Sequence, residues 1–262
     1  MAHILVFDSG VGGLSVVVEL RALMPSVYIT YVADDEFRPY GDKSETQLKA
    51  RLPGLLQTLV LAVDPDIVVL ACNTASTSAL AEIREALKVP VIGVVPAIKP
   101  AAQLSRNKHI AVLGTPGTVQ RKYVGKLMND FAKDCRVVLQ GSNVLVGLAE
   151  NKLAGDHVDI AKIKFEIAPI FAGADGANID VVVLACTHFP LLLDELKEAA
   201  PHFVKWIDSG TAIATRAQSL LKNLSLKPAP DTPQTALLIG GQTNQTRRQV
   251  FKKHGFEKTV IL

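Results

Sequence analysis

Cysteine is scarce in this sequence, and its spacing excludes several common uses of the residue. The 262 residues include 3 cysteines (Cys72, Cys135 and Cys186), and no two of them form a Cys-x-x-Cys pair. An odd number of widely spaced cysteines does not fit a zinc ribbon, a thioredoxin-type dithiol or a disulfide framework. We therefore expect reduced thiols and a cytoplasmic protein.

Long apolar runs and an excess of one charge are missing as well. No apolar run approaches the ~18 residues that a membrane helix needs, and no targeting segment is apparent, so no membrane partner is expected. Lys and Arg number 28 against 25 Asp and Glu, a balance too even to predict a nucleic-acid partner. The basic cluster at 247–254 has the pattern of the solvated face of a terminal helix.

The common nucleotide-binding and hydrolase motifs are absent. In DSGVGGLS, Ser15 stands where a GxGxxG dinucleotide loop needs its last glycine, and there is no phosphate loop or GxSxG elbow. Cys186 and His188 form a Cys-x-His pair without the companion ligands of a closed zinc site. We therefore expect neither a metal nor a cofactor.

Short β-branched runs alternate with segments of helical periodicity. Several runs are continuously apolar, which is typical of strands buried on both faces of a parallel sheet. Repeated βα units predict an α/β fold with mainly parallel sheets, and prolines such as Pro53 are expected near helix ends. The predicted strands are 4–8, 27–33, 66–72, 91–95, 109–114, 135–140, 180–186, 203–208 and 235–241.

Two of these segments resemble each other closely. DIVVLACNTAS at 66–76 and DVVVLACTHFP at 180–190 share a valine-rich strand that ends in Ala-Cys. Similar α/β strands explain the valines, but a duplication also explains the shared ending. The repeat predicts two pseudo-symmetric α/β domains, residues 1–95 plus 208–262 and residues 96–207.

Cys72 and Cys186 are the candidate chemical groups. Ligands of parallel α/β sheets bind beyond the carboxyl ends of the strands, where both cysteines are predicted, each just before a helix. A helix N-terminus favours the reactive thiolate, although a single buried cysteine is more often a small hydrophobe. Two cysteines in matched settings favour function. Cys135 begins a predicted strand and is expected to be structural.

Polar side chains gather at the same strand ends. Helix N-termini with threonines can bind carboxylates, and Asp8 could hold an ammonium group or assist a thiol. Alone, Asp8 could equally be a turn carboxylate, and Ser9 could cap a helix. Tyr40, in the predicted loop 34–41, could cover a small ligand or pack on the core. The residues directly after the two cysteines are Asn73, Thr74, Thr187 and His188.

Two thiols at one site suggest inversion of a stereocentre. Racemisation at an α-carbon removes a proton from one face and returns one to the other, which needs a base and an acid on opposite sides. An ordinary thiol is mostly protonated at neutral pH, so each would need an activating neighbour. A Cys-His hydrolase is the alternative, and it would require Cys186 and His188 but not Cys72.

Six segments carry a family resemblance: FDSGVGGLS (7–15), DDEFRPYG (34–41), ACNTAS (71–76), GVVPAI (93–98), LGTPGTV (113–119) and ACTHFPLLL (185–193). With these segments the sequence resembles glutamate racemases, within the aspartate/glutamate racemase superfamily. The resemblance implies cofactor-independent interconversion of L- and D-glutamate, which supplies D-glutamate for peptidoglycan. It also implies a homodimer and an active site in the cleft between two pseudo-symmetric α/β domains.

The resemblance assigns roles residue by residue. Cys72 and Cys186 correspond to the paired acid/base thiols, and Asp8 and His188 to residues that tune them. Glu150 aligns with an acidic position near the second thiol, on a weaker local match. The positions that correspond to substrate-binding residues are Asp8, Ser9, Tyr40, Gly41, Asn73, Thr74, Thr115, Thr118, Thr187 and His188.

The sequence departs from the family pattern at Ala185 and Phe189, where glycine and tyrosine are common, and at 34–36, where Asp-Thr-Ala is usual. None of these changes removes a proposed catalytic group, although Phe189 lacks a hydroxyl. Two alternatives stay open. An aspartate racemase would use the same chemistry, and some glutamate racemases have an added non-catalytic role in inhibiting DNA gyrase.

Overall fold

Strands and helices alternate along the chain. The computed structural model describes residues 1–228, 230–240 and 245–262. The strands are β1 (His3–Asp8), β2 (Tyr28–Ala33), β3 (Ile67–Leu70), β4 (Val91–Gly93), β5 (His109–Gly114), β6 (Arg136–Gly141), β7 (Val181–Ala185), β8 (Lys205–Ile207), β9 (Thr235–Leu238) and β10 (Lys258–Ile261). The helices are α1 (Leu14–Leu23), α2 (Glu45–Val63), α3 (Asn73–Ala86), α4 (Ile98–Leu104), α5 (Pro116–Val119), α6 (Lys122–Phe131), α7 (Val144–Ala154), α8 (Ile160–Ile167), α9 (Leu193–Ala199), α10 (Gly210–Leu221) and α11 (Gln245–Lys253).

The chain divides into two compact units. Unit 1 comprises 1–94 and 210–262, and unit 2 comprises 95–209. The junctions predicted from the sequence follow residues 95 and 207, and that these units act as two functional domains stays a prediction.

Unit 1 contains a parallel sheet with the strand order β10-β9-β2-β1-β3-β4. The chain runs from β1 outward to β2, and then returns to place β3 on the other side of β1. This reversal creates a topological switch point between β1 and β3, the place where parallel α/β sheets bind their ligands.

Unit 2 contains a second parallel sheet with the order β6-β5-β7-β8. Its four strands follow the same order as β2-β1-β3-β4 of unit 1, with the second strand outside the first and the third on the opposite side. The switch point therefore lies between β5 and β7. The predicted α/β fold with parallel sheets is confirmed, and the two repeated segments, 66–76 and 180–190, contain the equivalent strands β3 and β7.

Continuous burial explains the apolar runs. Every residue of β1, β2, β3 and β7 is buried, because helices cover both faces of the central strands. On α2, Leu48, Leu52, Leu56 and Leu59 form the buried stripe that packs against α3. Ser44 starts this helix with a capping box, its Oγ accepting from the N–H of Gln47.

Some predicted elements differ from the structure. Pro53 lies inside α2, whereas the sequence placed it near a helix end. The strand β10 was not predicted. The predicted strand 235–241 ends at Leu238, and its residue 241 lies outside the described residues. Residues 247–253 of the basic cluster are helical, in α11.

In the parts of the chain that the structure describes, no helix is both long enough and apolar enough to cross a membrane.

Candidate active site

Asp8 and Cys72 lie at the carboxyl edge of the sheet in unit 1. Strands β1 and β3 are hydrogen-bonded neighbours, with Phe7 paired to Leu70, so the residues that follow them emerge side by side. Ser9 connects the two groups, since its Oγ lies 4.0 Å from Cys72 Sγ and 3.4 Å from Asp8 Oδ1. The three residues predicted to surround the switch point are therefore in contact.

The Asp8 carboxylate is a buried negative charge. Its side chain is inaccessible to solvent, and Oδ1 accepts a 2.7 Å hydrogen bond from the N–H of Gly10. Burial raises the pKa of the neighbouring Tyr31 phenol well above its usual range, and the negative charge of Asp8 raises it further, partly offset by Arg247. This part of unit 1 therefore favours neutral donors and positive groups such as an ammonium.

Cys72 is the N-cap residue of α3. Its backbone is extended, and its carbonyl accepts from the N–H of Ser76 at 2.9 Å. Asn73 and Thr74 occupy the first turn and are buried. Asn73 Oδ1 is buried and meets no hydrogen-bond donor among the residues that the structure describes. A buried amide oxygen of this kind is costly unless a ligand or water binds it.

Tyr40 lies in the core and does not cover a ligand site, which was one of the two roles that its predicted loop suggested. It begins a 3-10 helix, Tyr40–Asp42, which also contains Gly41. The ring is 1% exposed and belongs to the same apolar cluster as Cys72, and the hydroxyl donates to Asp34 Oδ2 at 2.5 Å. The side chain is therefore packed in the core, and any contact of Tyr40 with substrate would come from its main chain.

Thr115 and Cys186 follow neighbouring strands of unit 2. Gly114 at the end of β5 pairs with Ala185 at the end of β7, so both residues emerge at the same sheet edge. Thr115 caps α5, since its Oγ1 accepts from the N–H of Thr118 at 3.2 Å and lies 3.0 Å from Thr118 Oγ1. Both threonines are buried at the switch point.

Cys186 lies next to the imidazole of His188, and this imidazole lies next to the carboxylate of Glu150. His188 Nδ1 lies 3.8 Å from Cys186 Sγ, and His188 Nε2 lies 3.4 Å from Glu150 Oε1. Cys186, Thr187 and His188 are buried, whereas the Glu150 side chain is about one-third exposed, at 32%. Glu150, which the sequence indicated only by a weak local match, thus contacts His188, which in turn contacts Cys186.

The two cysteines lead into different helical elements. Cys72 caps the 14-residue helix α3, whereas Cys186 is followed by a 3-10 helix, Phe189–Leu192, and only then by α9. The expected α-helix directly after Cys186 is therefore replaced by a tighter turn, in which Phe189 N–H donates to the carbonyl of Cys186 at 3.0 Å. The Phe189 ring is fully buried, and it packs into the core of unit 2.

The structure thus gathers the predicted residues into one group in each unit. Asp8, Ser9 and Cys72 are in contact in unit 1, and Asn73, Thr74, Tyr40 and Gly41 follow the thiol or lie in the neighbouring loop. In unit 2, Cys186 contacts His188, and Thr115 and Thr118 occupy the adjacent strand end. Across the described residues, no group of three or more His, Cys, Asp and Glu side chains could hold a metal ion.

The chain has two similar parallel sheets, and a cysteine follows the third strand of each. Comparison with known proteins shows which family has this arrangement. Residues 15–217 match the family described as Asp/Glu/Hydantoin racemase, so the chain belongs to that family. Within it, the chain is similar to glutamate racemases in particular.

The relatives support this assignment over most of their length. The glutamate racemase of Shewanella piezotolerans is 47% identical over 223 residues, which are 85% of this chain and 82% of the relative. That of Shewanella pealeana is 45% identical over 98% of this chain and 96% of its own. The predicted family is therefore confirmed, and so is the prediction of an amino-acid racemase, an isomerase.

A solved structure is similar over the entire chain. The crystal structure of Escherichia coli glutamate racemase has a TM-score of 0.94 and 39% identity, covering 100% of this chain and 98% of that chain. That protein was crystallised in complex with L-glutamate and the activator UDP-MurNAc-ala.

Proposed function

We propose that this chain interconverts L- and D-glutamate without a cofactor, with Cys72 and Cys186 as the two acid/base groups. The observation that carries the proposal is their matched position. Each thiol follows the third strand of its sheet, beside a switch point, and each has a titratable or hydroxyl neighbour within 4.0 Å of its sulfur. A duplicated fold supplies the two similar groups that inversion of a stereocentre requires.

In the proposed mechanism, one cysteine thiolate removes the α-proton and becomes a thiol. The electron pair of the broken Cα–H bond moves toward the α-carboxylate, giving a carbanion with enediolate character. The second thiol then gives its proton to the opposite face of the α-carbon and becomes a thiolate. The reverse reaction exchanges the two roles, so the mechanism needs one thiol on each face of the substrate.

The neighbours of each sulfur give it a means of activation. For Cys72, these are the Ser9 hydroxyl, which also contacts Asp8, and the N-terminus of α3, whose partial positive charge favours a thiolate. For Cys186, the His188 imidazole can exchange a proton with the sulfur, and the Glu150 carboxylate favours the imidazolium. The two thiols would therefore be tuned by different groups.

The polar groups at each switch point fit an amino acid. In unit 1, the negative Asp8 and the buried Asn73 Oδ1 suit the substrate ammonium. Hydroxyls and N–H groups at the strand ends suit its carboxylates, and we assign this role to Ser9, Gly41, Thr74, Thr115, Thr118 and Thr187. The similar E. coli glutamate racemase was crystallised with L-glutamate, which supports the choice of substrate.

We also propose that the product is D-glutamate for peptidoglycan, made in the cytoplasm by a homodimer. Cys72, Cys135 and Cys186 form no disulfide with one another, which fits a reducing compartment. In a bacterium that lacks other sources of D-glutamate, loss of the gene should create a requirement for added D-glutamate. Normal growth of such a strain without it would contradict this role.

The mechanism is tested by changing each thiol separately. Cys72→Ser and Cys186→Ser should each lower glutamate racemisation at least about 10³-fold, because an alcohol is a far weaker acid than a thiol and each direction uses both groups. Racemisation is followed by circular dichroism without any added cofactor. Cys135→Ser is the matched control, because Cys135 lies outside both switch points, and it should keep the wild-type rate.

Isotope exchange and substrate comparison complete the test. In heavy water, deuterium should enter the α-carbon of each product molecule. Full activity of either serine variant would refute the two-base mechanism. A higher kcat/KM for L-aspartate than for L-glutamate would instead identify an aspartate racemase.

A further inference from the structure

A partly buried ion pair holds the loop that carries Tyr40 and Gly41. Arg51, on α2, donates from Nε to Asp34 Oδ2 and from Nη2 to Asp34 Oδ1, both at 2.7 Å. The Asp34 side chain is inaccessible to solvent, and that of Arg51 is 26% exposed. This two-point geometry fixes the orientation of the carboxylate as well as its position.

Asp34 passes this restraint on to Tyr40. Its Oδ2 also accepts the 2.5 Å hydrogen bond from the Tyr40 hydroxyl. Burial raises the pKa of Tyr40 far above its usual range, and the Asp34 charge raises it further, so the phenol remains a donor at any physiological pH. The Tyr40 ring packs in the apolar cluster that includes Phe7, Leu70 and Cys72. The series Arg51–Asp34–Tyr40 therefore ends in the apolar cluster that contains Cys72.

Arg51 contacts the middle of the loop too. Its Nη2 donates to Glu36 Oε2 at 2.7 Å, and its guanidinium lies over the Phe37 ring, 4.9 Å from the centroid. Phe37 in turn meets the Tyr40 ring edge to face at 6.2 Å. One guanidinium thus contacts three of the loop residues that precede the 3-10 helix.

The start of the loop has separate anchors. The Asp34 N–H donates to the carbonyl of Asp8 at 3.0 Å, the Glu36 N–H donates to that of Ile239 at 2.9 Å, and Arg247 of α11 pairs with Asp35. Loss of the Arg51 side chain should therefore leave the loop attached but release its Tyr40 end.

We propose that Arg51 is a positioning residue, which acts through Asp34 to fix Tyr40 and Gly41 beside Cys72 in the conformation that binds substrate. The proposal rests on the proposed function, because the substrate-binding role of Gly41, the neighbour of Tyr40, comes from it. Arg51 itself need not touch the substrate. Its effect should therefore appear in substrate binding more than in the chemical step.

The test compares Arg51→Gln and Arg51→Lys with a control on the same helix. Lys49→Gln is matched, because Lys49 also forms two ion pairs from α2, at 2.8 Å to Glu45 and 2.9 Å to Glu82, but neither partner lies in the loop. For each protein, kcat and KM for glutamate, the thermal midpoint and amide hydrogen exchange of residues 34–43 are measured.

Arg51→Gln should raise KM about tenfold and change kcat less than about threefold, because the charged hydrogen bonds that it removes act on binding geometry. Arg51→Lys should restore part of the loss, since an ammonium keeps the charge but not the two-point contact. Exchange in 34–43 should be faster in Arg51→Gln than in the wild type, and unchanged in Lys49→Gln.

Several results would overturn the proposal. A wild-type KM in Arg51→Gln would do so, as would an equal rise of KM in Lys49→Gln. A fall in kcat that only matches the loss of folded protein would show a purely structural role. If the wild type does not racemise glutamate, the proposed function fails instead. In that case, the exchange data alone decide whether Arg51 holds the loop, and unchanged exchange in Arg51→Gln would reject it.

Discussion

Gly13 precedes α1 and lies against residues at the strand ends of unit 1, and Gly13→Ala should disturb both stability and activity. A β-carbon at this position would lie 2.9 Å from Tyr31 Oη, 3.0 Å from Asp8 Cβ and 3.1 Å from Ala71 Cβ. The backbone of Gly13 is ordinary, with φ −61°, so the requirement for glycine is one of space and not of conformation.

The neighbouring atoms cannot easily move away. The β-carbons of Asp8 and Ala71 are fixed to the backbone beside buried strands, and the Tyr31 hydroxyl donates to the carbonyl of Gly10 at 2.8 Å. The start of α1 must therefore shift, and overpacking of this kind costs about 1–3 kcal/mol. For a protein of this size, the thermal midpoint should fall by about 2–4 °C per kcal/mol. Because Ala71 precedes Cys72, the racemisation rate should fall as well.

Calorimetry and racemisation assays of Gly13→Ala measure both effects. Gly54→Ala is the control, because a β-carbon at Gly54 in α2 would have no neighbour within 4 Å. Alanine favours helix over glycine by up to about 1 kcal/mol, so the control should be equally or more stable, with full activity. A Gly13→Ala protein that matches the wild type in both midpoint and rate would refute the steric argument.

Two further predictions concern titratable groups. Glu150→Gln should lower kcat/KM for glutamate about tenfold or more, because a neutral amide removes the carboxylate charge 3.4 Å from His188 Nε2. Glu195→Gln, which removes an ion pair with Lys152 in the same unit, should not lower it, and equal losses in the two variants would contradict the role of Glu150. Burial lowers the pKa of His3, partly offset by Asp66, so the unfolded chain binds more protons and the free energy of unfolding should fall as the pH drops below about 6.5. Urea titrations across this range should show a weaker pH dependence for His3→Gln, and an unchanged slope would contradict the assignment.

The strands that could be predicted are those with a simple pattern of burial. Residues 67–70 and 181–185 are buried on both faces, so their sequences are continuously apolar. The strand β10 escaped prediction because it pairs only at the edge of the sheet, with β9, and its residues Lys258–Ile261 are half-exposed or exposed. Pro53 was wrongly predicted near a helix end. The capping box and the leucine stripe stabilise α2 by more than the hydrogen bond that proline cannot donate.

The candidate site could be predicted where its residues follow strands. Asp8, Cys72, Thr115 and Cys186 each stand within two residues of a strand end, and strand ends in a parallel sheet meet at one edge. Arg51 and Glu150 could not be found in this way, because they lie on α2 and α7, and their side chains extend to Asp34 and His188. Their partners depend on how each helix packs on the sheet, which the local pattern does not specify.

Residues at strand ends and residues on helices also differ in how similar they are between unit 1 and unit 2. The strand order fixes where the residue after each third strand lies, and both units have a cysteine at that place. The residues beside each sulfur come from loops and helices, where the strand order imposes no such constraint. Cys72 is accordingly surrounded by a hydroxyl, a carboxylate and a helix N-terminus, and Cys186 by an imidazole and a more distant carboxylate. The two sulfurs thus have similar positions and different neighbours, which suits a two-base mechanism, because that mechanism requires one thiolate and one thiol at the same time.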